Sequence, residues 1–336
     1  MPPQPAEQIF RVLPRQVDLS IGAALREWLP GQSWSQIHRL LKTRRVMVSG
    51  NLCLDPARRL TLRDVVKVLP HSLAPPPSAE AVRIRYCDEH VVVVEKPAGM
   101  TTTRHAEERD WSARRRQLQP TLDELLPRVL AKRQAGKGKA GRTKGRPARV
   151  RAVHRIDRDT SGLLVFARTA VAERNLGQQF RQHTTERRYL AVVQGEVTAQ
   201  TITSRLIRDR GDGRRGSTSN PRLGKPAVTH VKPLERLGDY TLIECRLETG
   251  RTHQIRIHLA ESGHPLCGEK VYNQPLRQPP VPDTSGAPRL VLHAAELGFQ
   301  HPVTGKMLHF EMAPPADFAE FLRRLRQEAK GGEMQR

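Results

Sequence analysis

The sequence predicts an α+β protein: a large domain on a mixed, largely antiparallel sheet, with a small α/β domain in front of it. Three observations carry this expectation. The 336 residues allow about two domains at roughly 100–200 residues each. Strand-like apolar runs outnumber helical stripes and are mostly spaced as hairpins. The stiff run Pro75-Pro76-Pro77 separates a short, helix-rich front from the strand-rich remainder.

The elements follow in order. Residues 1–14 are rich in proline and read as a flexible tail. Ile21, Ala24, Leu25, Trp28 and Leu29 recur at i, i+3, i+4, i+7 and i+8, the stripe of an amphipathic helix, which Pro30-Gly31 ends. Ser33 or Ser35 suits the cap of a second helix, with Ile37, Leu40 and Leu41 as its apolar side. Val46-Met47-Val48 and Val65-Val66-Lys67-Val68-Leu69 read as short strands. This gives a small domain at 15–72 and a Pro-rich linker at 73–80.

The large domain is expected at 81–330. A strand over 91–95 follows the alternating stretch 82–85, and 121–130 looks helical. Residues 132–151 hold nine Lys and Arg and no acid, with glycine spread among them. Such a segment has no core to bury, so a basic, disordered insertion is expected at about 104–150. Beyond it come a strand (163–168), a helix (171–182), a strand (188–194) and a Gly/Arg-rich loop (208–225). Strands at 227–235 and 240–248 lead to a helix near 252–262, closed by Gly263 and Pro265. A hairpin (295–300, 307–312) and an amphipathic helix through Phe318, Phe321, Leu322 and Leu325 end the chain.

Charge narrows the function. Lys+Arg total 57 and Asp+Glu 34, a formal net charge of +23, which suits a polyanionic partner, nucleic acid before membrane. No run approaches the ~18–20 apolar residues of a membrane-spanning helix, and the first ten residues lack the basic and apolar regions of a signal peptide. The four cysteines are scattered without a CxxC pair, against both a disulfide framework and a zinc site. A reduced, cytoplasmic, metal-free protein is the expectation.

The densest polar segment is 153–162, VHRIDRDTSG, directly before the apolar run LLVFAR. Two carboxylates among two arginines and a histidine, on a loop leading into a core, can hold an ionised Asp; the same residues also suit a structural ion-pair turn. In the second cluster, 248–258, Gly250 permits a tight turn and sets Arg251 at the mouth of a helix, where it can grip a carboxylate or phosphate. His253 and His258 are five apart, a poor spacing for one metal, and read with His264 and His293 as packing histidines. Tyr189, in RRYLAVV, is either a core residue or a flat face for a base.

Together, the 154–162 segment with LLVFAR, RRYLAVVQG, ETGRTHQIRIHLAESGHPLCGE, LHAAELGFQHPVTGK and CDEHVVVVEKPAGM resemble the RluA-type family of RNA pseudouridine synthases, in the right order over about 81–325. Residues 17–69 resemble the small RNA-binding domain of the ribosomal-protein S-four type that often precedes this catalytic domain. The resemblance implies the pseudouridine synthase fold, isomerisation of uridine in RNA to pseudouridine, and no cofactor or metal. It maps the essential aspartate to Asp157, its ion-pair partner to Arg251 and the ring stacking on uracil to Tyr189, with Arg155 and Arg158 on flanking phosphates. Arg39, Lys42, Arg44 and Arg45 would form the phosphate-facing patch of the small domain. Asp159, with Ser161, would hold the loop.

The chain departs from the family pattern at Ile156, where Leu is usual, and at Met100-Thr101-Thr102-Thr103, where apolar residues and a His are common. The second departure touches substrate choice. Large-subunit ribosomal RNA is the first expected substrate and transfer RNA the second, for a monomer with no obligate protein partner. The competing reading is a catalytically silent RNA-binding ribosome-assembly factor; a nucleoside or DNA glycosidase using Asp157 would leave the front domain unexplained.

Overall fold

The computed structural model describes all residues except 1–7, 50, 63, 74, 105–107, 109, 110, 112, 136–148, 275–280 and 334–336. Two compact units divide the chain, Met1–Pro75 with Arg208–Arg214, and Pro76–Ile207 with Arg215–Arg336. The segment Arg208–Arg214, expected in the large domain, thus groups with the first unit.

In the first unit β1 (Gln8–Arg11), α1 (Ile21–Trp28), α2 (Trp34–Lys42), β2 (Val46–Val48), β3 (Asn51–Leu52) and β4 (Val65–Val68) follow one another. The strands form an antiparallel sheet in the order β1-β4-β2-β3. Ser20 caps α1 by accepting from the Ala23 N–H. Ser33 caps α2 in a reciprocal box with Gln36, an arrangement that satisfies two otherwise orphaned helix donors. Ile21, Ala24, Leu25, Ile37 and Leu41 turn their stripes onto Val46, Val48, Val66 and Val68. The expected tail is corrected for residues 8–11. Its apolar residues are enough to make a strand, paired along β4, with Phe10 stacked on Trp28 at 5.0 Å; residues 1–7 lie outside the described residues.

The second unit holds β5 (Arg83–Cys87), β6 (Val91–Lys96), α3 (Ala113–Leu118), α4 (Leu122–Ala135), β7 (Arg151–Ala152), β8 (Ser161–Ala167), α5 (Ala170–Gln182), β9 (Glu186–Gln194), β10 (Gln200–Ile207), β11 (Gly216–Thr218), β12 (Lys225–Leu237), β13 (Tyr240–Leu247), α6 (Gln254–Glu261), β14 (Leu292–Gln300), β15 (Met307–Glu311) and α7 (Ala316–Glu333). One 11-stranded sheet runs β11-β10-β12-β13-β9-β14-β8-β6-β5, with β15 on β14 and β7 on β8. The β14–β8 pair is parallel and the other described pairs are antiparallel, the mixed, largely antiparallel sheet expected. Alternate residues of β6 point to opposite faces. Val92 and Val94 join the core with Leu122, Leu126 and Tyr189, while Val91 and Val93 join the core under α5 with Leu163, Val165 and Leu176.

The insertion at about 104–150 is also corrected in part. It contains α3, while α4 falls on the stretch already read as helical, where Leu122, Leu126 and Leu130 are buried at helical spacing and fully burying a leucine stabilises by about 1.5–3 kcal/mol. Its stretch 136–148 lies outside the described residues. The Gly/Arg-rich loop contains β11, paired with β10. The polar sequence of β10 hid it, since its strand state comes from its ladder with β12 rather than from an apolar alternation. Among the described residues no helix is long and apolar enough to cross a membrane.

Candidate active site

The loop 153–160 enters β8, every residue of which is buried. Gly162 makes this possible. Its φ is +126°, and a Cβ there would lie 2.2 Å from the Ala294 carbonyl oxygen, so only glycine lets β8 and β14 meet. Ser161 Oγ and His293 Nδ1, 3.0 Å apart, tie the same two strands. The other end of the loop is held by Thr102, whose hydroxyl donates to the Ile156 carbonyl at 2.8 Å. Lys96 is completely buried and its Nζ donates to the carbonyls of Pro97, Met100 and Arg158 at 3.0, 2.8 and 2.9 Å. Burial pulls this ammonium down to about 7, against the attraction of Asp159 and Asp157. Thr102 is one of the residues that depart from the family pattern, and here it buttresses the loop.

Asp157 sits in this frame with its side chain 15% exposed. Arg256 Nη1 lies 3.7 Å from one carboxylate oxygen and His253 Nε2 lies 3.8 Å from the other. Both partners come from the start of α6. Helical side chains tilt toward the N-terminus, so Arg256, in the first turn, reaches back to the loop. Gln254, 3% exposed, builds the turn before it: its Oε1 accepts from Thr249 Oγ1 and from the Arg251 N–H, and its Nε2 donates to the Val228 carbonyl. His253 adopts a left-handed φ of 59°, an uncommon conformation outside glycine that tends to occur at functional sites.

A second set of partners positions these two groups. Glu269, 2% exposed, accepts from Arg256 Nε and Nη2 at 2.7 Å each, the bidentate fork that fixes a guanidinium plane. Burial works against both charges, but each outweighs it for the other: Arg256 is held protonated and Glu269 is held below the usual carboxylate range. The Arg256 guanidinium also stands 5.2 Å over the Tyr272 ring. The Tyr272 hydroxyl is 2.6 Å from His253 Nδ1. Burial pulls His253 down to about 4, so its ring is neutral. With the phenol donating to Nδ1, the ring proton resides on Nε2, the atom facing Asp157. The opposite tautomer would set a bare lone pair against the carboxylate.

Of the residues singled out from the sequence, Tyr189 is 8% exposed and feels the Asp157 charge: burial raises its phenol, Arg187 opposes this and Asp157 adds to it. Arg251 does not pair with Asp157. Its Nε donates to the Pro226 carbonyl, and the guanidinium expected there is Arg256. Arg158 is clasped by the adjacent Asp159 at 3.0 and 3.2 Å, while Arg155 is exposed. In the first unit Arg39 and Lys42 are exposed on α2, whereas Arg44 and Arg45 donate through Nε to the carbonyls of Leu73 and Leu69. His253, Arg256, Glu269, Tyr272 and Lys96 were not singled out as site residues by their sequence pattern. Glu269 directly follows Gly268 in the HPLCGE segment, and it is the acid that distinguishes Arg256 of α6 from Arg251 in the turn before it.

Among the described residues one group has metal-ligand spacing, Glu186, Glu296 and His309. It lies on β9, β14 and β15, where His309 Nδ1 already pairs with Glu186 at 3.1 Å and Arg188 with Glu296.

Comparison with known proteins gives a consistent picture. A family model described as RNA pseudouridylate synthase matches residues 90–261. A ribosomal large subunit pseudouridine synthase D of Zymomonas mobilis is 37% identical over 273 residues, 80% of this chain and 81% of its own length. The uncharacterized RNA pseudouridine synthase YlyB of Bacillus subtilis is 35% identical over 320 residues, 93% of this chain and 94% of its own. The solved structure of human RNA pseudouridylate synthase domain containing 4 superposes with a TM-score of 0.56 at 22% identity, covering 72% of this chain and 92% of that one, a likeness of fold.

Proposed function

Because the chain belongs to the RNA pseudouridylate synthase family, we propose that it isomerises uridines of large-subunit ribosomal RNA, with Asp157 as the reacting carboxylate. Membership makes the protein an enzyme acting on RNA; the ribosomal substrate is supported by the relatives named for it. The single observation that carries the site is the nearly buried Asp157 carboxylate with Arg256 on one oxygen and the His253 imidazole on the other.

In the reaction the N-glycosidic bond breaks, the uracil turns, and its carbon 5 joins the ribose, so no atom is gained or lost. Asp157 would attack the ribose, attack the base, or remove a sugar proton; each route needs a charged carboxylate against the nucleoside. The positive guanidinium beside it, anchored by Glu269, is set in place before substrate arrives and offsets the cost of keeping that charge in a partly dry pocket. The target uridine must leave its stack, at a cost of a few kcal/mol, which the Tyr189 ring and the arginines would offset. Arg155 is the exposed candidate for a flanking phosphate. The first unit would hold RNA through Arg39 and Lys42.

Pseudouridine mapping of ribosomal and transfer RNA, from cells with and without the protein, tests this reading. Loss of a ribosomal site that the unaltered protein restores and Asp157→Ala does not is the expected result. Loss of a transfer RNA site alone would move the substrate. Restoration by Asp157→Ala would leave a binding role in assembly.

A further inference from the structure

Arg187 stands out among the buried charges of the second unit. It is 9% exposed, yet no carboxylate lies within 4.0 Å of it among the described residues. By contrast Arg256 and Arg104, with side chains 7% and 8% exposed, each face a carboxylate, Glu269 and Glu124. Arg187 Nη2 donates to the Leu247 carbonyl at 3.3 Å. Its Nε is buried without a partner. Its guanidinium also lies 5.8 Å from the Phe180 ring centroid. Removing a guanidinium from water without a counter-charge costs several kcal/mol, and a buried, unsatisfied donor asks for an explanation.

The position supplies one. Arg187 is two residues from Tyr189 on β9, hence on the same face of the strand, at the end of the sheet where the Asp157 loop and the turn before α6 meet. A Cβ on Gly250 would lie 3.0 Å from Arg187 Nη1, so the absence of a side chain there keeps that nitrogen open. The surroundings are electropositive: burial, and then Arg187, pull His154 down to about 3, and burial followed by Arg187 and Arg251 lowers His183. The acid in this group, Glu248, is already engaged by His230 at 2.7 Å. Uracil is neutral, and the anionic groups of RNA are its phosphates.

We propose that Arg187, with Gly250 giving access to its guanidinium, is a binding site for an RNA backbone phosphate beside the Asp157 pocket. The proposal rests on the RNA-modifying reading above and adds a subsite to it. The cost of the uncompensated buried cation is then recovered only when the strand docks, so the residue favours bound RNA in one register.

The full-length protein, Arg187→Gln and Arg187→Lys are titrated with a short single-stranded oligouridylate over a range of salt. Each phosphate contact on a single strand contributes a slope of roughly −0.7 in log K against log salt. Arg187→Gln is expected to flatten the slope by about that amount, and Arg187→Lys to retain it. Gly250→Ala, which keeps the charge but crowds Nη1, is expected to weaken binding severalfold. A slope unchanged in Arg187→Gln, with normal circular dichroism, overturns the proposal. If Arg187→Gln does not fold, undiminished affinity of Gly250→Ala overturns it instead. Pseudouridine formation by the unaltered protein is measured separately, so failure of the catalytic reading is distinguishable from failure of this site.

Discussion

The Asp157 pocket and the outer face of α2 carry charge in opposite ways. In the pocket each charged group has a named partner: Asp157 faces Arg256, Arg256 is forked by Glu269, and His253 is oriented by Tyr272. On α2, Arg39 and Lys42 are exposed, in a high dielectric where single ionic contacts are worth at most about 1 kcal/mol. The lesson is that net charge and chemistry are separate properties of this molecule. The surplus of +23 suits holding a polyanion from many interchangeable positions. Under the proposed reading the reaction would depend on a few groups that cannot be exchanged.

That contrast can be broken first at its centre. Asp157→Asn keeps the size of the side chain and removes its charge. Turnover should fall by at least ~10³-fold in an assay of pseudouridine formed in the RNA chain, with RNA affinity changed less than about threefold. Activity within tenfold of the unaltered enzyme would mean that another group carries the chemistry.

One layer out, Glu269→Gln removes the bidentate counter-charge of buried Arg256 and leaves it only the Asp157 carboxylate at 3.7 Å. Breaking such a pair costs about 3–5 kcal/mol, so the denaturant midpoint should drop by that equivalent and turnover should fall with it. A midpoint unchanged within error would mean that the fork contributes nothing to the fold.

Lys96 tests the frame beneath the loop. Its ammonium holds its proton to 10.5 in the unfolded chain but only to about 7 in the folded one. Between these values the unfolded state binds more protons, so this residue makes stability rise with pH from about 7 to 10.5 and level off above. Thermal melts of the unaltered protein should show that rise, and Lys96→Met should lack it; identical slopes in the two would contradict the burial argument.

The smallest effect belongs to α2. Arg39→Ala or Lys42→Ala should each weaken RNA binding by less than ~1 kcal/mol and reduce the salt slope, with the maximal rate unaffected. A collapse of turnover in either variant would erase the distinction between the two regions.

Much of this was legible in the sequence, for physical reasons that differ between elements. The stripes of α1, α2 and α7 are dictated by apolar periodicity, β6 and β8 by short continuous apolar runs buried on both faces, and the VHRIDRDTSG segment stood out because charge beside a buried strand is unusual. The strand β10 was hidden because its neighbours impose it. The partner of Asp157 was hidden because Arg251 and Arg256 are both arginines near one turn, and which one reaches the loop depends on where α6 begins. Its start at Gln254 puts Arg256 in the first turn and sends Arg251 outward to Pro226. Glu269 and Tyr272 belong to a segment with no periodic pattern, and their role exists only through contacts across the fold.

The most direct measurement is a single-turnover rate with enzyme in excess over RNA, comparing Asp157→Asn with an Arg39→Ala/Lys42→Ala double variant. At saturating enzyme the double variant should reach the rate of the unaltered protein, only at higher concentration, while Asp157→Asn should form no measurable pseudouridine at any concentration. Pseudouridine formed by Asp157→Asn at a rate comparable to the double variant would contradict the claim that this one carboxylate, and not the basic surface, carries the reaction.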